Sequence, residues 1–506
     1  MNCNRCQSAA PLLLAFVTLL FISCQGPAGV LAPPPAKRPN VLVILADDAG
    51  YGDFGFQGAD DLETPHLDRL AAAGTIFTQA YVSASVCSPS RAGLLTGRYQ
   101  QRFGHECNLE PSPLAFDTSQ VTLAEALGAE GYGTAIFGKW HLGSLDHQHP
   151  LRNGFDHFYG FISGGRSYFP LPAAERGKSE SSLQLNHTPQ VLEGYLTDDL
   201  GEKAADYITE RAAEKQPFFA YLAFNAPHTP MQATEADIAR FPDHPRPVYA
   251  AMVYAMDRAV GKVMQALQES GSYDDTLIFF LSDNGGAHNN DSSVGQLKGW
   301  KGNQYEGGIR VPFVVSWPGH VPRGATHLGM VSSLDIFATA LEAAGMDRPT
   351  GLDGVSLLPL LQQEDRTVDA HQTLFWRKDE MATVRRGKHK LIRLDDFGTV
   401  VYGTSTDNAQ FLDEGTKLEG PESMALRDSL AAALSAWEEE LVPPHWDEGE
   451  PWNAVTRYIY RQLMTNQPVL AKSPPELQRL AAEDQDSGTP PAPGSRVSGT
   501  RKTSDK

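Results

Sequence analysis

The stretch Val41-Leu42-Val43-Ile44-Leu45-Ala46, followed at once by Asp47-Asp48, decides the fold that we expect for this chain. The first six residues are apolar without interruption, and half of them are β-branched. Such a run is typical of a strand that is buried on both faces, as in a parallel sheet. The two carboxylates that end the run are candidates for a functional site, because ligands of open α/β sheets bind beyond the carboxyl ends of the strands.

Three more apolar runs share this pattern, in which polar and chemically capable residues directly follow the strand. They are Thr134–Phe137, followed by Gly138–His141; Phe218–Phe224, followed by Asn225–His228; and Thr276–Leu281, followed by Ser282–Gly286. Helical stretches fill the gaps between the runs. The alternation predicts an α/β fold in which four separate segments deliver side chains to one crevice.

Four helices are predicted from start signals, amphipathic stretches and stop signals. They cover residues 66–73 behind Thr64-Pro65, then 197–215, 249–270 and 335–344. Residues 164–193 show little periodicity and are expected to form a surface loop or an insertion. These segments together define a catalytic domain over residues 39–370.

A change in composition after Leu361 indicates a second unit. Two strands are expected over residues 373–393, around Arg386-Gly387-Lys388, and a helix is expected over residues 422–441. This pattern predicts a smaller α+β subdomain over residues 371–470. Residues 471–506 are rich in Pro, Ser and Gly, which predicts a disordered tail.

The charge balance of the chain excludes one broad class of function. The 506 residues include 42 Lys and Arg and 61 Asp and Glu, for a formal net charge of −19. This balance argues against a sequence-independent nucleic-acid binder, which needs a basic face. An anionic substrate is still allowed, because a pocket can be locally basic.

The N-terminal residues are typical of an export signal. Arg5 is the only charged residue before position 37, and the apolar run over residues 11–22 is too short to span a bilayer as a helix. We therefore expect residues 1–23 to be a signal peptide, and the protein to be periplasmic, outer-membrane or extracellular in a bacterium. Two modes stay open: a lipoprotein signal that leaves Cys24 lipidated, or ordinary cleavage a few residues later.

Oxygen ligands stand at two of the predicted strand ends: Asp47, Asp48, Asp283 and Asn284. Like charges that are packed together are unfavourable unless a cation binds them. Ligands that are all oxygen favour a hard ion, Ca²⁺ or Mg²⁺, over zinc. The alternative is that Asp-Asp and Asp-Asn-Gly-Gly are only turn residues.

The segment Cys87-Ser88-Pro89-Ser90-Arg91 predicts the start of a helix. Ser88 suits a helix cap and Pro89 the first helical position. Cys87 would then lie at a helix N-terminus, where anions bind well. The alternative is a cysteine that merely packs against that helix.

Two lysines and two histidines are expected at the same crevice as the carboxylates: Lys139, His141, His228 and Lys301. A lone histidine is more often structural than catalytic. Histidines and lysines aimed together at a carboxylate cluster indicate anion recognition and proton transfer.

In family order, these segments resemble the signatures of the type I sulfatases. The motifs are Asn40–Asp48, Cys87–Arg91 with Leu94, Thr96, Gly97 and Arg98, Gly138–Gly143, Ala226–His228, Ser282–Gly285 and Lys301–Gly308. The resemblance covers about residues 39–392. It implies the alkaline-phosphatase-like α/β sandwich, with a central mostly parallel sheet flanked by helices and a smaller α+β C-terminal subdomain.

The resemblance also implies an activity, the hydrolysis of sulfate esters to an alcohol and inorganic sulfate. Cys87 would be oxidised to Cα-formylglycine by a maturation enzyme that reads the Cys-x-Pro-x-Arg pattern. One hydroxyl of the hydrated aldehyde would attack sulfur, and the other would then expel sulfate. Ca²⁺ would be bound by Asp47, Asp48, residue 87, Asp283 and Asn284.

Each remaining residue has an implied role. Arg91 and Lys139 would hold the hydrate, and His141 would assist its deprotonation. His228 and Lys301 would bind sulfate or protonate the leaving oxygen, with Lys139 also on the substrate side. Two other functions stay open: a phosphonate or phosphate monoester hydrolase of the same superfamily, and a secreted sulfated-glycan binder without catalysis.

The substrate expected for an exported bacterial sulfatase is a sulfated carbohydrate. The segment 98–108, with Arg102, His105 and Glu106, either lines the pocket or is a surface loop. Basic residues crowd the predicted C-terminal hairpin: Arg377, Lys378, Arg385, Arg386, Lys388, Lys390 and Arg393. They form either a solvated edge strand that discourages aggregation or a patch that attracts a sulfated polymer.

Overall fold

The structure, a computed structural model, describes residues 38–108, 116–175, 177, 179–395, 397–403, 416–467, 469 and 473–486. The predicted signal peptide, Cys24 and the end of the predicted tail lie outside the described residues. Within the described ranges, no helix combines the length and the apolar content needed to cross a membrane.

A ten-stranded, mostly parallel sheet forms the centre of the larger part of the molecule. Its strands are β1 (Asn40–Ala46), β2 (Thr75–Tyr81), β3 (Gly133–Lys139), β4 (His157–Phe161), β5 (Gln184–Leu185), β6 (Thr188–Pro189), β7 (Phe218–Ala223), β8 (Thr276–Ser282), β9 (Phe313–Ser316) and β10 (Ala325–Ser332). Their spatial order is β10-β2-β9-β8-β1-β7-β3-β4-β5-β6. The pairings from β8 through β1, β7 and β3 to β4 are all parallel.

The four apolar runs read from the sequence are the four neighbouring strands β8, β1, β7 and β3. Ala46 lies opposite Ser282, so β1 and β8 end at the same level. Beyond them, the Asp47 amide donates to the Ala226 carbonyl and the Asp283 amide to the Ala46 carbonyl, each at 3.0 Å. The polar residues that follow these strands therefore emerge side by side at the carboxyl edge of the sheet.

Helices cover both faces of this sheet. They are α1 (Pro65–Ala72), α2 (Cys87–Thr96), α3 (Leu123–Gly128), α4 (Leu196–Glu214), α5 (Glu235–Ile238), α6 (Pro247–Glu269), α7 (Glu306–Ile309), α8 (Asp335–Ala343) and α9 (Leu358–Leu361). The odd-numbered residues of β1 belong to one buried hydrophobic cluster and the even-numbered residues to another. This alternation confirms a strand buried on both faces.

A five-stranded antiparallel sheet and three helices form the C-terminal part. The strands are β11 (Thr373–Lys378), β12 (Met381–Arg386), β13 (His389–Leu394), β14 (Gly398–Gly403) and β15 (Thr416–Lys417), and the helices are α10 (Pro421–Glu438), α11 (Trp452–Met464) and α12 (Pro474–Asp486). The predicted class, an alkaline-phosphatase-like α/β sandwich with an α+β subdomain, is confirmed. The expected two strands are three, because a further turn at Asp379-Glu380 separates β11 from β12.

Helix α12 differs from the prediction of a disordered tail beginning at residue 471. Leu477 and Ala481, four residues apart, are buried in a cluster with Tyr460 and Leu463 of α11. The surrounding Pro- and Ser-rich composition obscured this short apolar stripe in the sequence. Packing against α11 is what stabilises so short a helix.

Five of the seven basic residues predicted for the C-terminal sheet form ion pairs and fit neither of their two predicted roles, whereas Arg386 and Lys388 are exposed. Strand β12 lies between β11 and β13, so it is not an edge strand. Arg385 and Lys390 are buried and bind Glu306 at 3.2 and 3.0 Å. The side chains of Arg377, Lys378 and Arg393 pair with Glu106, Glu448 and Glu438. Three of these charges, Arg377, Arg385 and Lys390, therefore bind carboxylates of the catalytic part, while Lys378 and Arg393 form ion pairs within the C-terminal part.

Candidate active site

The loops beyond β1, β8, β3 and β7 bring the predicted site residues into one buried cluster. The Asp48 amide donates to Asp283 Oδ1 (3.3 Å), which links the ends of β1 and β8. Lys139 Nζ lies 2.7 Å from Asp47 Oδ2, and His228 Nε2 lies 3.6 Å from Asp48 Oδ2. Parallel strands that end at one edge are what make these long-range contacts possible.

Each carboxylate of the cluster faces a cation. Arg91 Nη2 lies 2.8 Å from Asp283 Oδ2, and Lys301 Nζ lies 2.7 Å from Asp48 Oδ1. Burial opposes ionisation of Asp47, but Lys139 and the other nearby cations outweigh it and hold the Asp47 pKa well below its usual range. Burial and the Asp47 charge raise the pKa of Asp283 to about 6 in spite of Arg91.

Cys87 is the first residue of α2, so the helix begins two residues earlier than a Ser88 cap would place it. Ser88 instead donates through Oγ to the His141 carbonyl at 2.7 Å. Cys87 Sγ lies 3.1 Å from Lys301 Nζ and 3.6 Å from Asp47 Oδ1. Burial raises the pKa of the Cys87 thiol to about 12, so the unmodified side chain is a protonated, poor nucleophile.

Both predicted histidines are held as neutral rings at neutral pH. Burial, together with Lys139 and Arg91, places the His141 pKa well below its usual value. Burial also lowers the pKa of His228, although the nearby aspartates oppose this. His228 Nδ1 donates to the Thr229 carbonyl (2.6 Å), and His141 Nδ1 is buried with no hydrogen-bond partner among the described residues.

The loop at Gly164-Gly165 covers these histidines, and sequence reasoning placed it only in an irregular segment. A Cβ at Gly164 would lie 2.6 Å from His141 Nε2, whereas a Cβ at Gly165 would lie 3.4 Å from the His228 ring. His141 itself has a left-handed backbone (φ 60°), and so does Asp48 (φ 67°). Strained backbone of this kind is found at functional sites.

The donor atoms fit a hard cation. Oxygen or sulfur atoms of Asp47, Asp48 and Cys87 and a ring nitrogen of His228 all lie within 4.8 Å of one another. Asn284 Nδ2 donates to Asp48 Oδ1 (2.8 Å), while Asn284 Oδ1 is buried without a hydrogen-bond partner in the described structure. A buried amide oxygen beside carboxylates is a ligand suited to Ca²⁺ or Mg²⁺.

The residues proposed for the loop after α2 do not line the pocket. Arg102 binds Asp353 (2.8 Å), and Glu106 binds Arg377. His105 Nε2 lies 2.8 Å from Ser88 Oγ. His105 and Glu106 are buried, so neither alternative fits them, whereas Arg102 is partly exposed and also pairs with the exposed Glu440. Asn108, at the end of the segment, lines the cavity described next.

A cavity of about 300 Å³ adjoins the cluster, with Asp48, His228 and Lys301 in its lining. Much of the remaining wall comes from side chains that the sequence did not identify: His288, Trp300, Asp447, Glu448, Trp452 and Thr456. Trp300 directly precedes the Lys301 motif, so its place in the sequence could have indicated that it lies near the site. The residues after position 440 carry no motif, and only folding brings them to the site.

Comparisons with known proteins agree with this geometry. The family model described as Sulfatase matches residues 39–346, and that of the N-sulphoglucosamine sulphohydrolase C-terminal region matches residues 299–426. N-acetylgalactosamine-6-sulfatase of Canis lupus familiaris is 34% identical over 74% of each chain. Arylsulfatase A of Bos taurus is 37% identical over 72% of this chain and 76% of its own.

Among solved structures, the crystal structure of Ps i-CgsB in complex with k-i-k-neocarrahexaose is similar to this one. It has a TM-score of 0.75 and 33% identity, and it covers 85% of this chain and 99% of its own. The chain belongs to the type I sulfatase family of the alkaline-phosphatase-like superfamily. It is a sulfuric ester hydrolase.

Proposed function

We propose that this protein hydrolyses the sulfate ester of a carbohydrate, with Cys87 converted to Cα-formylglycine and Ca²⁺ bound beside it. The observation that carries the proposal is the position of Cys87. Its Sγ lies at the start of a buried helix, 3.1 Å from Lys301 Nζ and 3.6 Å from Asp47 Oδ1. The unmodified thiol is protonated and unsuited to attack, which supports a requirement for modification.

The residues that would hold Ca²⁺ are Asp47, Asp48, Asp283, Asn284 and the modified residue 87. When bound, the ion offsets the negative charge of sulfate, and the hydrated aldehyde supplies a nucleophilic hydroxyl. Without the ion, the three carboxylates and three cations of the cluster balance. A divalent ion therefore makes the site positive overall, as binding of a sulfate ester requires.

The basic side chains divide into two groups by position. Arg91 and Lys139 are fully buried beneath residue 87 and orient it through the carboxylates they bind. His141 is a neutral ring and accepts a proton from the nucleophilic hydroxyl. His228 and Lys301 line the cavity, where both contact sulfate and the Lys301 ammonium donates a proton to the leaving alcohol oxygen.

A carbohydrate substrate is supported by what the relatives are named for. One is named as an N-acetylgalactosamine-6-sulfatase, and a solved neighbour was crystallised with k-i-k-neocarrahexaose. We also propose export, with or without a lipid anchor at Cys24, and maturation by a formylglycine-generating enzyme. These rest on the N-terminal apolar run and on the Cys87-Ser88-Pro89-Ser90-Arg91 segment.

The test uses protein co-expressed with a formylglycine-generating enzyme. Defined sulfated saccharides are incubated with it, and released sulfate is measured by ion chromatography. Mass spectrometry of the peptide that contains residue 87 establishes the aldehyde, and Cys87→Ala protein is the control. Failure of aldehyde-bearing protein to release sulfate from any ester, or faster hydrolysis of phosphonate monoesters than of every sulfate ester, would contradict the proposal.

A further inference from the structure

The outer wall of the active-site cavity comes from a segment that lies beyond both matched family regions. Those regions end at residues 346 and 426, whereas the wall is formed by Asp447, Glu448, Trp452 and Thr456, with Leu477 behind them. These residues line the same cavity as Lys301 and His228. The wall therefore contacts the part of a substrate that carries the sulfate, not the sulfate itself.

This wall is fixed in place by contacts to the loop after α2. The His445 amide donates to the Gly104 carbonyl (2.9 Å), and Trp446 Nε1 donates to the Asn108 carbonyl (3.1 Å). Glu448 is held by Lys378 Nζ at 2.7 Å. His445 and Trp446 before position 447 and Glu448 after it are thus held in place. A rigid support of this kind is needed for a surface that distinguishes between ligands.

Trp452 gives the wall an apolar platform. It begins α11 and leaves 40% of its surface exposed, whereas Val455 and Ile459 on the same helix also line the cavity but are buried. An aromatic ring with one open face suits the apolar face of a sugar ring. Thr456, one turn further along, offers a hydroxyl to the sugar.

The charges of the wall oppose a second anionic group. Among the described lining residues, Lys301 at the base is the one lysine or arginine, and the outer carboxylates are Asp447 and Glu448. Asp447 is exposed, and its Oδ1 accepts from the Gly449 amide (2.8 Å). A further sulfate or a uronate on the bound ring would meet like charge there, which is an effective way to exclude a ligand.

We infer that this wall selects a neutral sugar ring that carries a single sulfate, with the ring stacked on Trp452 and its hydroxyls bound by Asp447 and Thr456. This rests on the proposed sulfate-ester hydrolysis and names its substrate class. A volume of about 300 Å³ is at the lower end of small-ligand pockets, which suits one such ring inside the cavity.

The test compares kcat/KM for matched mono- and disulfated saccharides of one neutral sugar. We expect wild-type protein to favour the monosulfated sugar about tenfold, Asp447→Asn to reduce this ratio several-fold, and Asp447→Lys to reverse it, with all effects shrinking in high salt. Glu439→Gln, which removes an exposed carboxylate outside the cavity, is the matched control and leaves the ratio unchanged. An unchanged ratio in both Asp447 variants, or wild-type preference for the disulfated sugar, would overturn the inference.

A binding measurement separates this inference from the proposed chemistry. Calorimetry with Cys87→Ala protein, which cannot turn over, follows binding of the intact monosulfated sugar. We expect Trp452→Ala in that background to weaken binding about tenfold, and Met424→Ala, an exposed apolar residue elsewhere, to leave it unchanged. If Trp452→Ala binds the sugar as tightly as Met424→Ala does, the stacking role of Trp452 is refuted. If wild-type protein with the aldehyde releases sulfate from none of the esters tested, the proposed function fails instead.

Discussion

Two buried charge clusters in this protein contain the same types of residue but differ in how their polar atoms are satisfied. In one, Glu306 accepts from Arg385 Nη1 (3.2 Å) and Lys390 Nζ (3.0 Å). In the active-site cluster the carboxylates are equally buried, yet Asn284 Oδ1 and His141 Nδ1 have no partner among the described residues. Burial and charge alone therefore do not separate a functional site from a structural one.

Position in the fold explains the difference. Glu306 begins α7 in the catalytic part, and its partners come from β12 and β13, so this cluster fastens the second sheet to the first. The active-site cluster lies instead at strand ends, beside a cavity, and includes left-handed backbone at Asp48 and His141. Buried polar atoms without a hydrogen-bond partner and strained backbone are therefore the signs of function. Among the described residues, the Glu306 cluster cited above shows neither.

The largest effect is expected from Cys87→Ala. Sulfate release should fall by about a thousandfold or more, because the nucleophile is removed, while Tm shifts by only a few degrees. Initial rates on 4-nitrophenyl sulfate and a thermal melt measure both. Substantial turnover by this variant would contradict the mechanism. It would also remove the functional distinction between the Cys87 cluster and the Glu306 cluster.

Glu306→Gln should give the opposite pattern. It leaves buried Arg385 and Lys390 without their carboxylate, so the free energy of unfolding should fall by about 3 kcal/mol. The kcat of the protein that stays folded should change little. Urea denaturation measures the loss, with the exposed Glu342→Gln as control. If the free energy of unfolding of Glu306→Gln equals that of the control, Glu306 does not stabilise the contact between the two sheets.

Removal of the metal should affect both stability and activity. At a free Ca²⁺ concentration about 100 times Kd, bound ion stabilises a protein by about 2.7 kcal/mol, so a chelator should lower Tm and abolish turnover. Added Ca²⁺ should restore both. Full activity and unchanged Tm after exhaustive chelation, or recovery with Zn²⁺ alone, would contradict the oxygen-ligand site.

The smallest effect is expected from Gly164→Ala. The added Cβ would come within 2.6 Å of His141 Nε2 and displace that ring, so kcat should fall about tenfold with little change in Tm. Gly165→Ala is the matched control, since its Cβ would lie 3.4 Å from His228, an ordinary contact. Equal rates for the two variants would show that the loop does not position His141.

The sequence could predict those features of the fold and the site that depend on local sequence pattern. Four apolar runs predicted strands of a parallel sheet, which the structure shows to be neighbours, and the polar residues that follow them predicted one shared site. The sequence could not predict which charges would become buried partners, since Arg385 and Glu306 are 79 positions apart. It missed Asp447 and Trp452 for the same reason, because their place in the cavity depends on how α11 packs and not on local pattern.

The origin of the cavity wall in the last part of the chain has a consequence for how such proteins diversify. The strands that carry the reacting groups are complete by Ser282, and the wall is contributed by residues some 165 to 195 positions later. A different C-terminal segment could therefore be inherited, by recombination or gradual change, without disturbing a single strand of the central sheet. If the wall selects the sugar as we infer, reaction chemistry and choice of sugar would be encoded in separate segments of one polypeptide.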